Sequence, residues 1–532
     1  MKQNLLRYLN KNKVPILLVI ALFPIYILLY KIYMARVNAF GCFDDCYNIG
    51  AGYFISKGKM LYSDVPFNHQ MLMAYLSSVV QTISHPINVY DLILRHRQTV
   101  LLFGFIMNIL VVWRYRWVGF GFVLLYEFTK FYVFGDRYLA EGLIVYPLVY
   151  MLGLLWEKLH NRKISLLDLF LSSIFTWFVI FMREPYMLVA LFLYAAILFS
   201  KQFSVHRIVS ILVFIILSLV TILLMPVRDY FYNLITVNVN GVLKGEIQQN
   251  SIFGFGTIKI FFYPLFLFFD GKWNNFRYIL IGLSSVFLLL NVYYFLNKKK
   301  IIVTILLFFV LGLANIRFTP PGTIFYAAFH MIPWYGLFIF SVFLLMHEIF
   351  YINKKIFTLG AFIVSIIFFY NIFSPQSFLY EKPNAQYEFI VNYGNYLQIG
   401  EVVKALSNSD DTFFVDGFDE LLHWSVDRRS SYKYSWYTSY MPNIKKYSQE
   451  REQMFIKNPP DFYYGSCPKE NNPIRLMPKN KRNEYVRLLN AGKPSCLFIK
   501  KEKIYLVSKS QWDKARAFLF ELPSVQHEAI KN

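Results

Sequence analysis

Two adjacent carboxylates, Asp44 and Asp45, open the stretch FDDCYNIGAGYFISKGKMLYSD, residues 43–64, directly after a long apolar segment. A carboxylate inside a bilayer costs about 2.5–3.5 kcal/mol, so acids sit at the rim of a span unless they serve a purpose. There they can take a proton, hold a metal or cap a helix, since Asp favours helix N-termini. Neighbours on a helix point about 100° apart, so one would act while the other orients or coordinates. A second group is Asp136, Arg137 and Glu141, in which Arg137 and Glu141 stand at i,i+4 and are expected to share a helix face. It reads either as an ion pair at a helix mouth or as a cation held for a phosphate beside an acid. Arg183, Arg317 and His330 lie near the same rim on further apolar segments, and Lys57, Lys59 and His69 follow the acid pair. Cations on the outer side run against the positive-inside bias, so phosphate binding stands beside lipid snorkelling as their reason. Guanidinium forks suit phosphate oxygens.

These groups must be positioned by a membrane protein. The chain has 532 residues, 56% of them apolar. Apolar runs near 20 residues alternate with short basic clusters, which reads as about eleven transmembrane helices. Lys2, Arg7, Lys11 and Lys13 precede the first span and place the N-terminus in the cytoplasm, with that span retained as a signal anchor. Every expected inner loop is basic, and the loop carrying Asp44 is then outside. Two long outer loops are expected, about 35–97 and 226–275. The first is long enough to point to function, and its middle, NHQMLMAYLSSVVQTI, reads as an interfacial helix. The apolar patch at 257–269 is too short and interrupted to span; counting it would invert everything downstream. The formal charge of +22 does not imply nucleic acid, because much of the basic excess lies in short loops that set orientation.

Residues 1–375 are expected to form the transmembrane domain, and 376–532 a soluble extracytoplasmic α/β domain. In the latter, TFFVDGF and NPPDFYYG read as strands, QEREQMFIKN as a helix, and CLFIKKEKIYLV as a hairpin with a polar turn. Cys42, Cys46, Cys467 and Cys496 form no CxxC pair, which argues against a zinc ribbon, while an exported setting permits disulfides.

The run DDCYNIGAGYFISKGKMLYSDVPFNHQMLMAYL resembles the first outer loop of membrane glycosyltransferases of the GT-C fold, in the family 39 group of protein mannosyltransferases and aminoarabinose transferases. The shared features are Asp44, Asp45, Tyr47, Gly58, Tyr62 and Asp64, then Asn68 to Met71. Further points of likeness are Glu141 opening a span, the turn from Arg183 to Pro185, and HMIPWYGLF around His330. The second acid of that family is usually Glu; here it is Asp45. The resemblance implies inverting transfer of a sugar from a polyprenyl-phosphate donor to an acceptor hydroxyl at the outer face of the plasma membrane. Asp44 matches the base, with Asp45 in support or, with Asp44, on a divalent metal. Glu141 matches an acid near the active cavity, and Arg137, Arg183, Arg317 and His330 would face the donor phosphate. Tyr47, Lys57, Tyr62, Asp64, His69 and Asp136 would support the acceptor or the loop. The implied partners are a lipid-linked sugar donor, a lipid, glycan or protein acceptor, and membrane lipids, with no nucleic acid. Two alternatives stand beside this reading. One is a ligase or polymerase of lipid-linked glycans. The other is a transporter or flippase without catalysis, whose ionisable groups would gather near the bilayer centre.

Overall fold

The computed structural model describes residues 13–36, 41, 44–199, 205–243, 274–298, 301–315, 328–373, 394–417, 420–438, 440–465 and 477–523. The segment 257–269, Arg317, Cys42 and Cys467 lie outside the described residues. The chain divides into two compact units: residues 1–37, 97–222 and 250–383, and residues 38–96, 223–249 and 384–532.

The first unit is helical. Among the described residues of the whole chain, seven helices are long and apolar enough to cross a membrane: Lys13–Met34, Val89–Tyr115, Ala140–Leu159, Val205–Leu223, Phe276–Asn297, Phe329–Ile352 and Lys354–Phe373. The architecture is therefore that of a polytopic helical membrane protein. Trp117–Thr129, Leu166–Met182, Met187–Leu198 and Ile301–Ala314, in the other segments expected to span, are shorter. The 13 residues of Trp117–Thr129 reach about 20 Å, short of a hydrocarbon core of about 30 Å. Burial sorts the long helices: Ala140–Leu159 is 83% buried and Phe329–Ile352 67%, against 11% for Val205–Leu223. The first two form the centre. Val205–Leu223 instead exposes Leu212, Ile216, Leu219 and Leu223, a surface suited to lipid rather than water. The central helices touch closely: a Cβ on Gly336 would stand 2.1 Å from Val145 Cγ2. A Cβ on Gly119 would meet the backbone oxygen of Val111 at 2.6 Å, fixing the tight turn at Arg116.

The second unit is built from three stretches of chain. Helix Asp44–Ser56 packs on Leu72–Ser84, and Gly52 permits the approach, since a Cβ there would meet Ser77 Oγ at 2.3 Å. Gln81 Nε2 donates to the Ile49 carbonyl at 2.9 Å. Val227–Phe231 continues into a π-helix, Tyr232–Leu243, a rare form usually confined to single turns. Residues 394–523 carry a five-stranded sheet of order β1-β2-β4-β3-β5, from β1 Phe413–Val415, β2 Phe462–Tyr464, β3 Tyr485–Asn490, β4 Lys493–Lys500 and β5 Phe520–Glu521. β1 and β2 are parallel; the other pairs are antiparallel. Helices Gly394–Leu406, Glu420–Val426 and Lys509–Ala517 add Val402, Val403, Leu422, Val426 and Trp512 to the core with Phe413, Phe462, Leu497 and Ile499.

The strands expected at TFFVDGF and NPPDFYYG and the helix expected at QEREQMFIKN, observed as Lys445–Lys457, are present. The hairpin is displaced. CLFIKKEKIYLV does not turn back on itself; β4 ends at Lys500 and a helical turn, Lys501–Ile504, follows. The hairpin joins β3 to β4 through Ala491 and Gly492, both with positive φ (49° and 73°). That backbone suits a tight strand-to-strand turn, and Lys-Glu-Lys offers no residue adapted to it.

Candidate functional site

In the first unit the sequence-predicted cations and acid gather where Ala140–Leu159 begins. Glu141 lies in the first turn of that helix, where the macrodipole favours a negative charge. Arg183 ends Leu166–Met182, and its Nε donates to Glu141 Oε1 at 3.0 Å. Both are buried, at 1% and 6% side-chain exposure. Tyr186, three residues beyond Arg183, donates its hydroxyl to the His330 carbonyl at 2.8 Å. Arg137 is also buried and lies 5.1 Å from the Phe134 ring centroid; Asp136 beside it is half-buried. The shared helical face expected for Arg137 and Glu141 is not present. Arg137 sits in the turn before the helix, its carbonyl accepting from Leu139 N–H at 2.8 Å, so the i,i+4 geometry does not apply.

A charged pair deeper in the same unit was not singled out by sequence reasoning. Lys130 Nζ lies 2.7 Å from Glu127 Oε2, and both side chains are fully buried. Tyr146 donates to Glu127 Oε1 at 2.7 Å, as does Asn108 Nδ2 at 2.9 Å. Asn108 also reaches Tyr26 at 2.6 Å. The rings of Tyr33, Tyr126 and Tyr146 stand 5.5–5.9 Å from the ammonium, a cage of π-faces that favours the cation. The available signal was an acid and a base three apart inside the apolar run VLLYEFTKFYV. At the opposite end of Ala140–Leu159, Arg114 is held by Glu157 and Asp168, and Tyr150 donates to Asp168 at 2.7 Å. A cleft of about 370 Å³ there is lined by Arg114, Arg116, Glu157, Arg162 and His347.

In the second unit Asp44 and Asp45 open helix Asp44–Ser56; Asp44 is half-exposed and Asp45 fully buried. Tyr47 is stacked between Phe67 and Trp436, with centroids at 5.0 and 4.9 Å. Its hydroxyl donates to Asn68 Oδ1 at 2.8 Å and lies 2.5 Å from the Tyr440 hydroxyl. His69 meets Tyr47 edge-on at 5.5 Å. Tyr62, at φ 73°, donates its hydroxyl to the His69 carbonyl at 2.9 Å. Asp64 Oδ2 accepts from Met60 N–H at 2.9 Å and closes the turn. The loop is thus tied within itself between Met60 and Asp64 and between Tyr62 and His69, and Trp436 Nε1 fastens it by donating to the Pro66 carbonyl at 2.7 Å. Lys57 points elsewhere: its Nζ is 2.8 Å from Asp427 Oδ1, which also accepts from the Tyr53 hydroxyl at 2.7 Å. Partial burial alone would raise the Asp427 pKa, but the hydrogen bonds from Lys57 and Tyr53 outweigh it and hold the carboxyl below its ordinary value.

No three His, Cys, Asp or Glu side chains converge as a metal site among the described residues. Cys46 and Cys496 are each disulfide-bonded. Comparisons of the chain with protein-family models, curated proteins and solved structures return no match.

Proposed function

We propose that the protein is an inverting membrane glycosyltransferase that moves a sugar from a polyprenyl-phosphate donor to an acceptor hydroxyl, with a transmembrane domain, 1–375, of about eleven spans and the 376–532 region on the outer side. The observation that carries the reading is the buried Glu141–Arg183 pair with buried Arg137 nearby in the chain. Taking ions out of water costs several kcal/mol each, and a buried acid and guanidinium held together beside the start of Ala140–Leu159 support a role for this cluster in holding an anionic group. In the proposed step the Asp44 carboxylate takes the proton of the acceptor hydroxyl. The hydroxyl oxygen bonds to the anomeric carbon, the carbon–phosphate oxygen bond breaks, and the electron pair leaves on the phosphate. Arg137 and Arg183 offset that charge, while Glu141 keeps the Arg183 guanidinium oriented. Asp45, being buried, supports the helix start that presents Asp44.

The test is sugar transfer by purified Asp44→Asn protein, with mass spectrometry of lipid-linked sugars and surface glycans from a deletion strain identifying the substrates. Expected is loss of transfer with unchanged folding. Near-wild-type turnover would remove Asp44 as the base.

The Glu127–Lys130 pair favours a second reading, a transporter. It bonds to Tyr26, Asn108 and Tyr146 directly or through Asn108, and those residues lie well inside Lys13–Arg36, Val89–Tyr115 and Ala140–Leu159. Intramembrane ionisable groups commonly mark transport paths. Liposomes holding the protein separate the two: a transferase makes a glycosylated product, whereas a transporter moves its substrate across unchanged.

A further inference from the structure

The second unit contains a cleft of about 480 Å³ between helices Asp44–Ser56, Leu72–Ser84 and Gly394–Leu406 and the residues around Trp424. That size suits a small ligand. We propose that this cleft binds a neutral carbohydrate. Its charges cancel: Lys57 and Lys404 face Asp427 and Glu401. Lys57 pairs with Asp427 at 2.8 Å, and Lys404 stands 3.9 Å from Glu401. All four side chains are about half-exposed, so their outer lone pairs and N–H groups remain open to a ligand. Two neutralised ion pairs give no net field to attract a phosphate or an ammonium. They do supply adjacent acceptors and donors, the complement of neighbouring hydroxyls.

The cleft also has an apolar side. Trp424 is half-buried, and Leu397, Pro86 and Ile87 continue its wall. A pyranose presents the matching combination, a C–H face that stacks on an indole and a rim of hydroxyls. A lipid chain would leave the four charges unpaired with solvent, and an anion would have to displace a carboxylate from each lysine. Two lining residues, His85 and Asp427, hold left-handed backbone at φ 44° and 50°. Each directly follows the last turn of a helix, Leu72–Ser84 and Glu420–Val426, so both helices end at the cleft wall.

The inference rests on the transferase reading only for the occupant's role as an acceptor or product glycan. The experiment therefore measures binding without donor or turnover. Full-length protein in lipid nanodiscs, free of maltoside detergent, is titrated with methyl glycosides of glucose, galactose, mannose and N-acetylglucosamine and with their disaccharides. Inorganic phosphate serves as the anionic control. Saturation-transfer NMR and tryptophan fluorescence report binding. At least one neutral glycoside is expected to bind. Trp424→Ala should weaken it by about tenfold, one stacked face, and Glu401→Gln and Lys404→Gln should weaken it severalfold. The last two alter exposed positions and keep the test valid if Trp424→Ala fails to fold. Absence of binding to every glycoside, binding unchanged in all three variants, or displacement by phosphate would each overturn the assignment. Glycoside binding by protein that transfers no sugar would keep the cleft and discard the transferase.

Discussion

His423 lies in helix Glu420–Val426, 2% exposed, edge-on to Phe54 and Phe413 with centroids at 5.1 and 6.0 Å. Its Nδ1 has no hydrogen-bond partner among the described residues. Burial in this apolar nest pushes its pKa from 6.5 down to about 3. Between those values the unfolded chain takes up a proton that the folded chain refuses. The unfolded state then binds more protons, so stability falls as pH falls. At ~1.4 kcal/mol per pH unit the loss is ~2 kcal/mol at pH 5 and ~4 kcal/mol at pH 3. Asp427 also loses its contribution in acid, because its folded pKa is depressed, but only below the ordinary carboxylate range of about 3.9. His423→Phe keeps a ring in the nest and removes the titration. Thermal unfolding of the full-length protein in nanodiscs, followed by tryptophan fluorescence at pH 7, 6, 5 and 4.5, should show the wild type losing ~2 kcal/mol more than the variant by pH 5. Equal slopes in the two proteins would refute a buried neutral imidazole.

Glu127→Gln and Lys130→Met should each destabilise the helical unit by about 3–5 kcal/mol, because each strands a buried charge. The double variant should recover most of the loss, which a double-mutant cycle on thermal stability measures. Arg183→Ala should cost a similar ~3–5 kcal/mol through the orphaned Glu141 carboxylate, and Glu141→Gln in the same background should restore part of it. Gly119→Ala should cost at least ~1–3 kcal/mol, read as lower thermal stability, since the added Cβ meets backbone that cannot rotate away.

Hydropathy made the helical segments legible, because a span must satisfy its own backbone and advertise itself in length and apolarity. The same filter hid Glu127 and Lys130: two opposite charges three apart barely dent a 20-residue average, and their partners Tyr26, Asn108 and Tyr146 come from three other helices. Glu141 was legible as an acid opening a span, yet its partner Arg183 stands 42 positions away, a distance no local spacing encodes. Asp44 and Asp45 were visible as a pair, but nothing in the string distinguishes the half-exposed acid from the buried one. The cleft around Trp424 joins segments more than 300 residues apart in sequence, as the bond from Tyr53 to Asp427, 374 positions on, shows, so no motif could announce it. The displaced hairpin was readable in principle, since Ala-Gly is a better turn than Lys-Glu-Lys.

The π-helix at Tyr232–Leu243 changes how that segment counts. A coil closing i to i+5 turns roughly 4.4 residues per revolution, so positions five apart lie within about 50° of each other, where an ordinary helix would splay them by about 140°. Asn233 and Asn238 are five apart, and both grip one loop: Asn233 donates to the Tyr62 carbonyl at 3.1 Å, Asn238 to the Asn68 carbonyl at 2.8 Å. Deleting a single residue from 234–237 would reset the winding and swing one asparagine off its carbonyl. The two rungs of this ladder are therefore in phase only because the rail beneath them is wound too wide.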